Sequence, residues 1–182
     1  MIVRLVGANP GLLLHPDGGA GERVAFVSVW RVDWSPHGKG TALVLWHAGH
    51  TRVVGARPEL GRWLADEFTR HFPEVRGLPW PEPRVTTAPV DLELDLASGM
   101  RARGADVEVE ITGPMDRRLI RVEEFDLGGV ANQLSTVYVP CRSGTLRIDG
   151  RPVAGVPRVT TSPRPSSTAF LADAEVWCGP DR

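Results

Sequence analysis

The chain has 182 residues, with 21 basic and 22 acidic side chains, a net charge of −1 and only two cysteines. That is the size of one domain, able to bury roughly two-thirds of its unfolded surface around one core. The near-neutral balance excludes an overall electrostatic footprint for nucleic acid, and Cys141 and Cys178, with no C-x-x-C companion, argue against a zinc knuckle or a disulfide scaffold.

The opening Met1 to Gly7 is apolar for too few residues to be a signal h-region, and Arg4 interrupts it. No stretch approaches about 18 consecutive apolar residues, so no membrane span is expected and the default compartment is the cytoplasm. The glycine-rich run Asp17 to Gly21 lacks the strand-to-helix context of a phosphate cradle and reads as a turn, as does Gly128-Gly129.

Arg23 to Trp34 is the first long strand expected. Its even positions Val24, Phe26, Trp30, Val32 and Trp34 form an apolar face broken by Ser28. The sole lysine, Lys39, follows in the exposed turn Pro36 to Gly40, a poor setting for Schiff-base chemistry. Strands are then expected over Thr41 to His47 and Thr51 to Ala56. The tight turn at Ala48-Gly49 sets His47 opposite His50 on one face, about 5 Å apart at Cβ.

The periodicity predicts an amphipathic helix from Pro58 to Phe72. Leu60, Trp63, Leu64, Glu67, Phe68 and His71 share one face, and Arg62, Asp66, Thr69 and Arg70 the other. Glu67 and His71 are thus i, i+4 neighbours on the inward side, where a carboxylate and an imidazole must find partners or shift their pKa values. They are the candidate catalytic pair. His47 and His50 are candidate ligand contacts, and with Glu67 and His71 they offer three imidazoles and a carboxylate. The chain has no H-E-x-x-H or comparable ligand spacing, so no metal and no other cofactor is assigned.

Pro-rich segments at 78–89 and 157–167 read as rim loops. They carry the near-repeat Pro83-Arg84-Val85-Thr86-Thr87-Ala88-Pro89 and Pro157-Arg158-Val159-Thr160-Thr161-Ser162-Pro163, which reads equally as a duplicated β-unit or as two similar loops. Val90 to Leu96 and Ala105 to Ile111 alternate apolar with acidic residues, giving strands with one dry and one wet face. Further strands are expected over Leu119 to Phe125, Thr136 to Cys141, Thr145 to Ile148 and Thr168 to Trp177, with a hairpin turn at Asp149-Gly150.

About nine or ten strands and one helix predict a mainly β, single-domain antiparallel barrel or strongly curved sheet, lipocalin-like in outline, with the helix packed across it. A two-layer α+β arrangement is the alternative. Six tryptophans against one tyrosine suggest an apolar cavity, with Trp30, Trp46 and Trp63 as candidate ligand contacts. The function expected is binding of a small, largely apolar molecule, with acid/base catalysis of the cyclase or isomerase kind at Glu67 or His71. The alternatives are a non-catalytic carrier and a protein-interaction module. No nucleic-acid or membrane partner is expected, and a homodimer is left open.

Overall fold

The computed structural model describes residues 1–17 and 21–181, so Gly18 to Ala20 of the expected glycine-rich turn lie outside the described residues. In chain order the strands are β1 (Ile2–Ala8), β2 (Gly11–Leu14), β3 (Ala25–Trp34), β4 (Gly40–His47) and β5 (His50–Gly55). The helix α1 (Pro58–Glu67) follows, then β6 (Arg84–Thr87), β7 (Val90–Asp95), β8 (Gly99–Gly104), β9 (Val107–Pro114) and β10 (Arg118–Leu127). The chain ends with β11 (Val130–Ile148), β12 (Arg151–Pro152), β13 (Val159–Thr160), β14 (Ser166–Ser167) and β15 (Ala169–Gly179).

The protein is mainly β, as the alternation predicts. One large mixed sheet runs in the order β6, β5, β4, β3, β1, β15, β11, β9, β8, β7, with β2 between β3 and β15 and with β10 and β12 on β11. β5 and β6 pair in parallel, and every other strand pair described in this sheet is antiparallel. The sheet holds more strands than expected. The short apolar N-terminus Met1 to Gly7 forms most of β1, β2 falls where no strand is expected, and the Met100/Ala102 alternation of β8 is hidden between Arg101 and Arg103. The expected strands at 136–141 and 145–148 are parts of the single long β11, which exchanges its partner β15 for β9 near Pro140.

Period-2 alternation feeds two cores from one sheet. In β3 the odd residues Ala25, Val27 and Val29 join Leu43, Leu45, Val107, Val109 and Ile111 in one cluster. The even residues Phe26, Trp30 and Val32 join Leu60, Leu64, Phe68, Phe72 and Trp177 in the other, under the helix. Val24 packs against the first cluster instead, and Trp34 stays in solvent. On the outer face of β7, β8 and β9 the acidic rows meet arginines in register. Asp91 faces Arg103, which pairs with Glu108 at 2.7 Å, and Glu93 faces Arg101, which pairs with Glu110 at 2.8 Å. These rows are therefore neutralised across the strands, a use that sequence alone does not show.

The helix is shorter than the periodicity predicts, ending at Glu67, with single 3₁₀ turns at Thr69–His71 and Pro73–Val75. Pro73 forbids a helical conformation at Phe72, whose ψ is 147°. Phe68 breaks the helix at φ −128°, ψ −74° and wedges edge-on between Trp30, Trp63 and Trp177. Where the helix does run, Gly61 lets it lie against β5, because a Cβ there would stand 2.5 Å from Val53 Cγ1. Among the described residues, no helix is long and apolar enough to cross a membrane.

The PRVTT copies have different structural lives. The first is β6, paired in parallel with β5, and the second contributes β13 to a two-stranded hairpin with β14.

Candidate functional site

The shortened helix separates the expected acid and imidazole. Glu67 is its last residue, and its side chain is 46 % exposed and paired with Arg4 at 2.9 Å. The expected inward position is corrected. Thr69, expected outward, is instead fully buried and accepts a hydrogen bond from the Trp30 indole at 3.1 Å. His71 is half-buried in the following turn, with its ring against Gly128 at the β10 to β11 hairpin.

His47 and His50 do face one another across a two-residue turn, Ala48 and Gly49 both taking positive φ. Burial, and then the neighbouring His50, lower the His47 pKa. His47 continues the face of Leu43 and Leu45, whereas the helix covers the opposite face of β4 with Ala42 and Val44. The four groups therefore do not converge, and among the described residues no three His, Cys, Asp or Glu side chains gather as a metal site.

The tryptophans expected at a ligand fill the layer between sheet and helix. Trp30 is fully buried, Trp46 donates its indole N–H to the Pro79 carbonyl at 3.0 Å, and Trp63 packs against the His37 ring at a tilt of 32°. The site that the chain does build lies elsewhere, along β10, β11 and β15. A cavity of about 350 Å³ opens there, walled by Ile120, Val122 and Phe125 from β10, by Leu134, Thr136 and Tyr138 from β11, and by Phe170, Ala172, Glu175 and Trp177 from β15. Phe72 to Glu74 close one side and Ser166 to Thr168 another.

Two β-bulges make this wall. Between the pairs Ser135/Val176 and Val137/Asp173, Ala174 and Glu175 together oppose Thr136. Phe170 and Ala172 face the cavity as even residues, and after the extra residue Glu175 and Trp177 face it as odd ones. Unbroken alternation would have sent Glu175 to the face of Leu171. On β10, Glu123 and Glu124 together oppose Gln133, and the cavity face passes in the same way from Ile120 and Val122 to Phe125. Ala174 takes φ +49°, a left-handed conformation that a residue with a Cβ adopts at a cost.

Glu175 is the chemical centre of the cavity. Its residue exposure is 3 %, and Oε1 accepts a 2.6 Å hydrogen bond from the Trp177 indole. Burial pushes its pKa from the ordinary 4.5 up to about 7, opposed by the hydrogen bonds from Trp177 and Thr136 and assisted by the nearby Asp173 charge. Glu74, which also lines the cavity, has its pKa raised by burial as well. Trp177 is held by a stacked Phe72 and an edge-on Phe125, so the carboxyl's principal donor is rigid. The Tyr138 hydroxyl bonds the Ser167 backbone as donor at 3.1 Å and acceptor at 3.2 Å, tying the end of the second Pro-rich segment to the cavity rim.

No family model, no curated protein and no solved structure matches the chain. Its chemistry must be read from these side chains. Sequence reasoning missed Glu175 because it counted strand periodicity without a bulge. One signal was present: strict alternation over β15 places Asp173 and Glu175 on the face of Leu171 and Trp177, two carboxylates on an otherwise dry row. Such a conflict marks a register change.

Proposed function

We propose that the protein binds a small, largely apolar molecule in the cavity between β10, β11 and β15, with Glu175 as its polar anchor. The observation that carries this reading is a buried carboxyl set by a strained bulge into an aromatic-walled cavity. Apolar walls supply affinity through contact area, and one oriented polar group fixes the ligand's direction. A carboxyl that titrates near neutrality is also suited to giving or taking a proton, so acid/base catalysis of the cyclase or isomerase kind belongs to Glu175 in this proposal, in place of Glu67 and His71. A carrier uses the same anchor without turnover.

The pairing order begins on β6 and ends on β7, which only Ala88 and Pro89 separate in the chain. Our reading of the sheet as a barrel, lipocalin-like in outline, rests on that continuity. The cavity lies beside this ring on the extension formed by β10 and the first half of β11, and the enclosed Leu43, Val109 and Ile111 layer is filled by side chains.

The test is occupancy of the cavity by a neutral environment-sensitive dye such as Nile red. Ile120→Trp fills the cavity from the edge strand, and Leu119→Trp, on the 56 % exposed opposite face, is its control. The expected result is a loss of dye affinity of more than about tenfold for Ile120→Trp and none for Leu119→Trp. Equal affinity in both variants overturns the assignment.

A further inference from the structure

We infer that the cavity is built for an apolar organic cation, a protonated or quaternary amine carried on a hydrocarbon or aromatic body. This inference rests on the cavity being the binding site and adds the charge of what it takes.

The wall carries one sign of charge. Glu175 and Glu74 border the cavity, and among the described residues no lysine, arginine or histidine does. Aromatic rings supply the rest of the recognition: Phe72, Phe125, Tyr138, Phe170 and Trp177 all line it. Ring faces attract ammonium and guanidinium groups, most strongly where water is excluded, and a carboxylate at the end of an aromatic enclosure adds a direct ion pair. Tyr138 already shows this behaviour, with the Arg118 guanidinium 5.0 Å from its ring centroid.

The basic groups nearest the wall have partners of their own. Arg118 pairs with Asp116 at 2.6 Å and donates to the Pro165 carbonyl, Arg31 pairs with Asp173 at 2.7 Å, and Arg23 donates to the backbone carbonyls of Glu74 at 3.1 Å and Arg76 at 2.7 Å. An anionic ligand would meet Glu175 and Glu74 with no basic side chain among the described residues lining the cavity to offset them. A neutral hydrocarbon would make no use of the buried carboxyl. A leucine or glutamine would serve it without the desolvation that Glu175 bears.

Cation binding is then linked to the proton on Glu175. The charged group acting on that carboxyl is Asp173, which disfavours its ionisation and is itself held by Arg31; Glu74 lines the same cavity, while Trp177 and Thr136 hydrogen-bond the ionised form. Below neutrality the cation must displace a proton. Its affinity therefore falls with falling pH, by at most about tenfold per pH unit for this one group, and levels off above neutrality.

The probes are trimethyl(phenethyl)ammonium, whose charge does not titrate, its uncharged tert-butyl analogue, and 4-phenylbutyrate, each titrated calorimetrically at about pH 8 and about pH 5.5. The expected outcome is binding of the ammonium at least about tenfold tighter than either other probe at the higher pH, with at least about tenfold loss at the lower. Glu175→Gln should remove the charge preference and the pH dependence while the tert-butyl analogue binds as before. The wild-type comparison stands even if the variant misfolds. If the neutral analogue or the carboxylate binds as well as the ammonium, the cation inference is overturned and the cavity remains the site. If none of the three binds at millimolar concentration, both readings fall.

Discussion

Trp177 and Glu175 lie two residues apart on β15 and are joined by the 2.6 Å bond from the indole Nε1 to Oε1. Side chains at i and i+2 share a face of a strand, so β15 carries its carboxyl and the donor that holds it on one rigid segment. The bond is made to a group that burial drives toward its neutral form.

This sets a pH dependence of stability. The folded-state pKa of Glu175, about 7, lies above its ordinary 4.5, so between these values the native state holds more protons than the unfolded chain. Stability contributed by the neutral carboxyl is complete below pH 4.5 and is lost as pH rises through about 7, by a total on the order of 3 kcal/mol. Glu74, also raised, acts in the same direction, and His47, lowered, acts in the opposite one. Urea unfolding of wild type and Glu175→Gln from about pH 5 to about pH 8 isolates the Glu175 contribution. The variant's advantage should grow with pH, and a constant difference between the two proteins would contradict a raised Glu175 pKa.

Ala174 pays for the bulge in backbone strain. Its φ of +49° is open to glycine without steric cost, so Ala174→Gly should be neutral to stabilising, by up to about 1 kcal/mol, because added unfolded-state entropy offsets part of the relief. Removing residue 174 outright is the sharper experiment. With the extra residue gone, the spacing from Ala172 to Glu175 returns to strict alternation, so Phe170, Ala172, Glu175 and Trp177 still share the cavity face and the left-handed residue is removed. The deletion should therefore retain ligand binding while circular dichroism still reports a β-rich chain. Loss of binding in a folded deletion variant would show that Glu175 does not reach the cavity through the parity that the extra residue sets.

What was legible in the sequence followed from short-range geometry. The alternation of β7 and β9, the turns at Ala48-Gly49 and Asp149-Gly150 and the start of α1 at Pro58 depend on neighbours a few residues apart, and they stand where expected. The end of the helix did not, because apolar residues at 68 and 72 continue the 3.6-residue stripe while Pro73 and the aromatic cluster around Phe68 override it. The cavity was illegible for a similar reason. It depends on one inserted residue in each of β10 and β15, and a period-2 reading carried across an insertion places every later side chain on the wrong face.

The Arg4 and Glu67 pair separates a surface ion pair from a buried one. Glu67 is nearly half exposed, whereas Arg4, 17 % exposed, also donates to Asn132 Oδ1 at 2.8 Å and lies 4.9 Å over the Phe68 ring. Glu67→Gln should cost less than about 1 kcal/mol and leave ligand affinity unchanged. Arg4→Ala should cost about 2 kcal/mol, since it removes packing on Phe68 and leaves the buried Asn132 oxygen without its donor. Chemical denaturation of both variants, with dye binding alongside, checks this. A binding defect in Glu67→Gln would return the functional role to the helix end.

The His47 to His50 hairpin offers the last test, because its turn chemistry is incomplete. Ala48 and Gly49 take φ of 50° and 77°, the left-handed pair of a type I′ turn, and alanine is a poor occupant of the first position. Asparagine tolerates that conformation better, so Ala48→Asn should stabilise the protein by about 0.5 to 1 kcal/mol. The gain should appear as a higher urea midpoint with an unchanged m-value, since no surface burial is altered. It should also leave the cross-strand pairing of His47 with His50 intact, observable as an interstrand amide-to-amide contact between them by NMR. A destabilised Ala48→Asn would mean that the turn is held by its flanking strands in a geometry other than the one its dihedral angles describe.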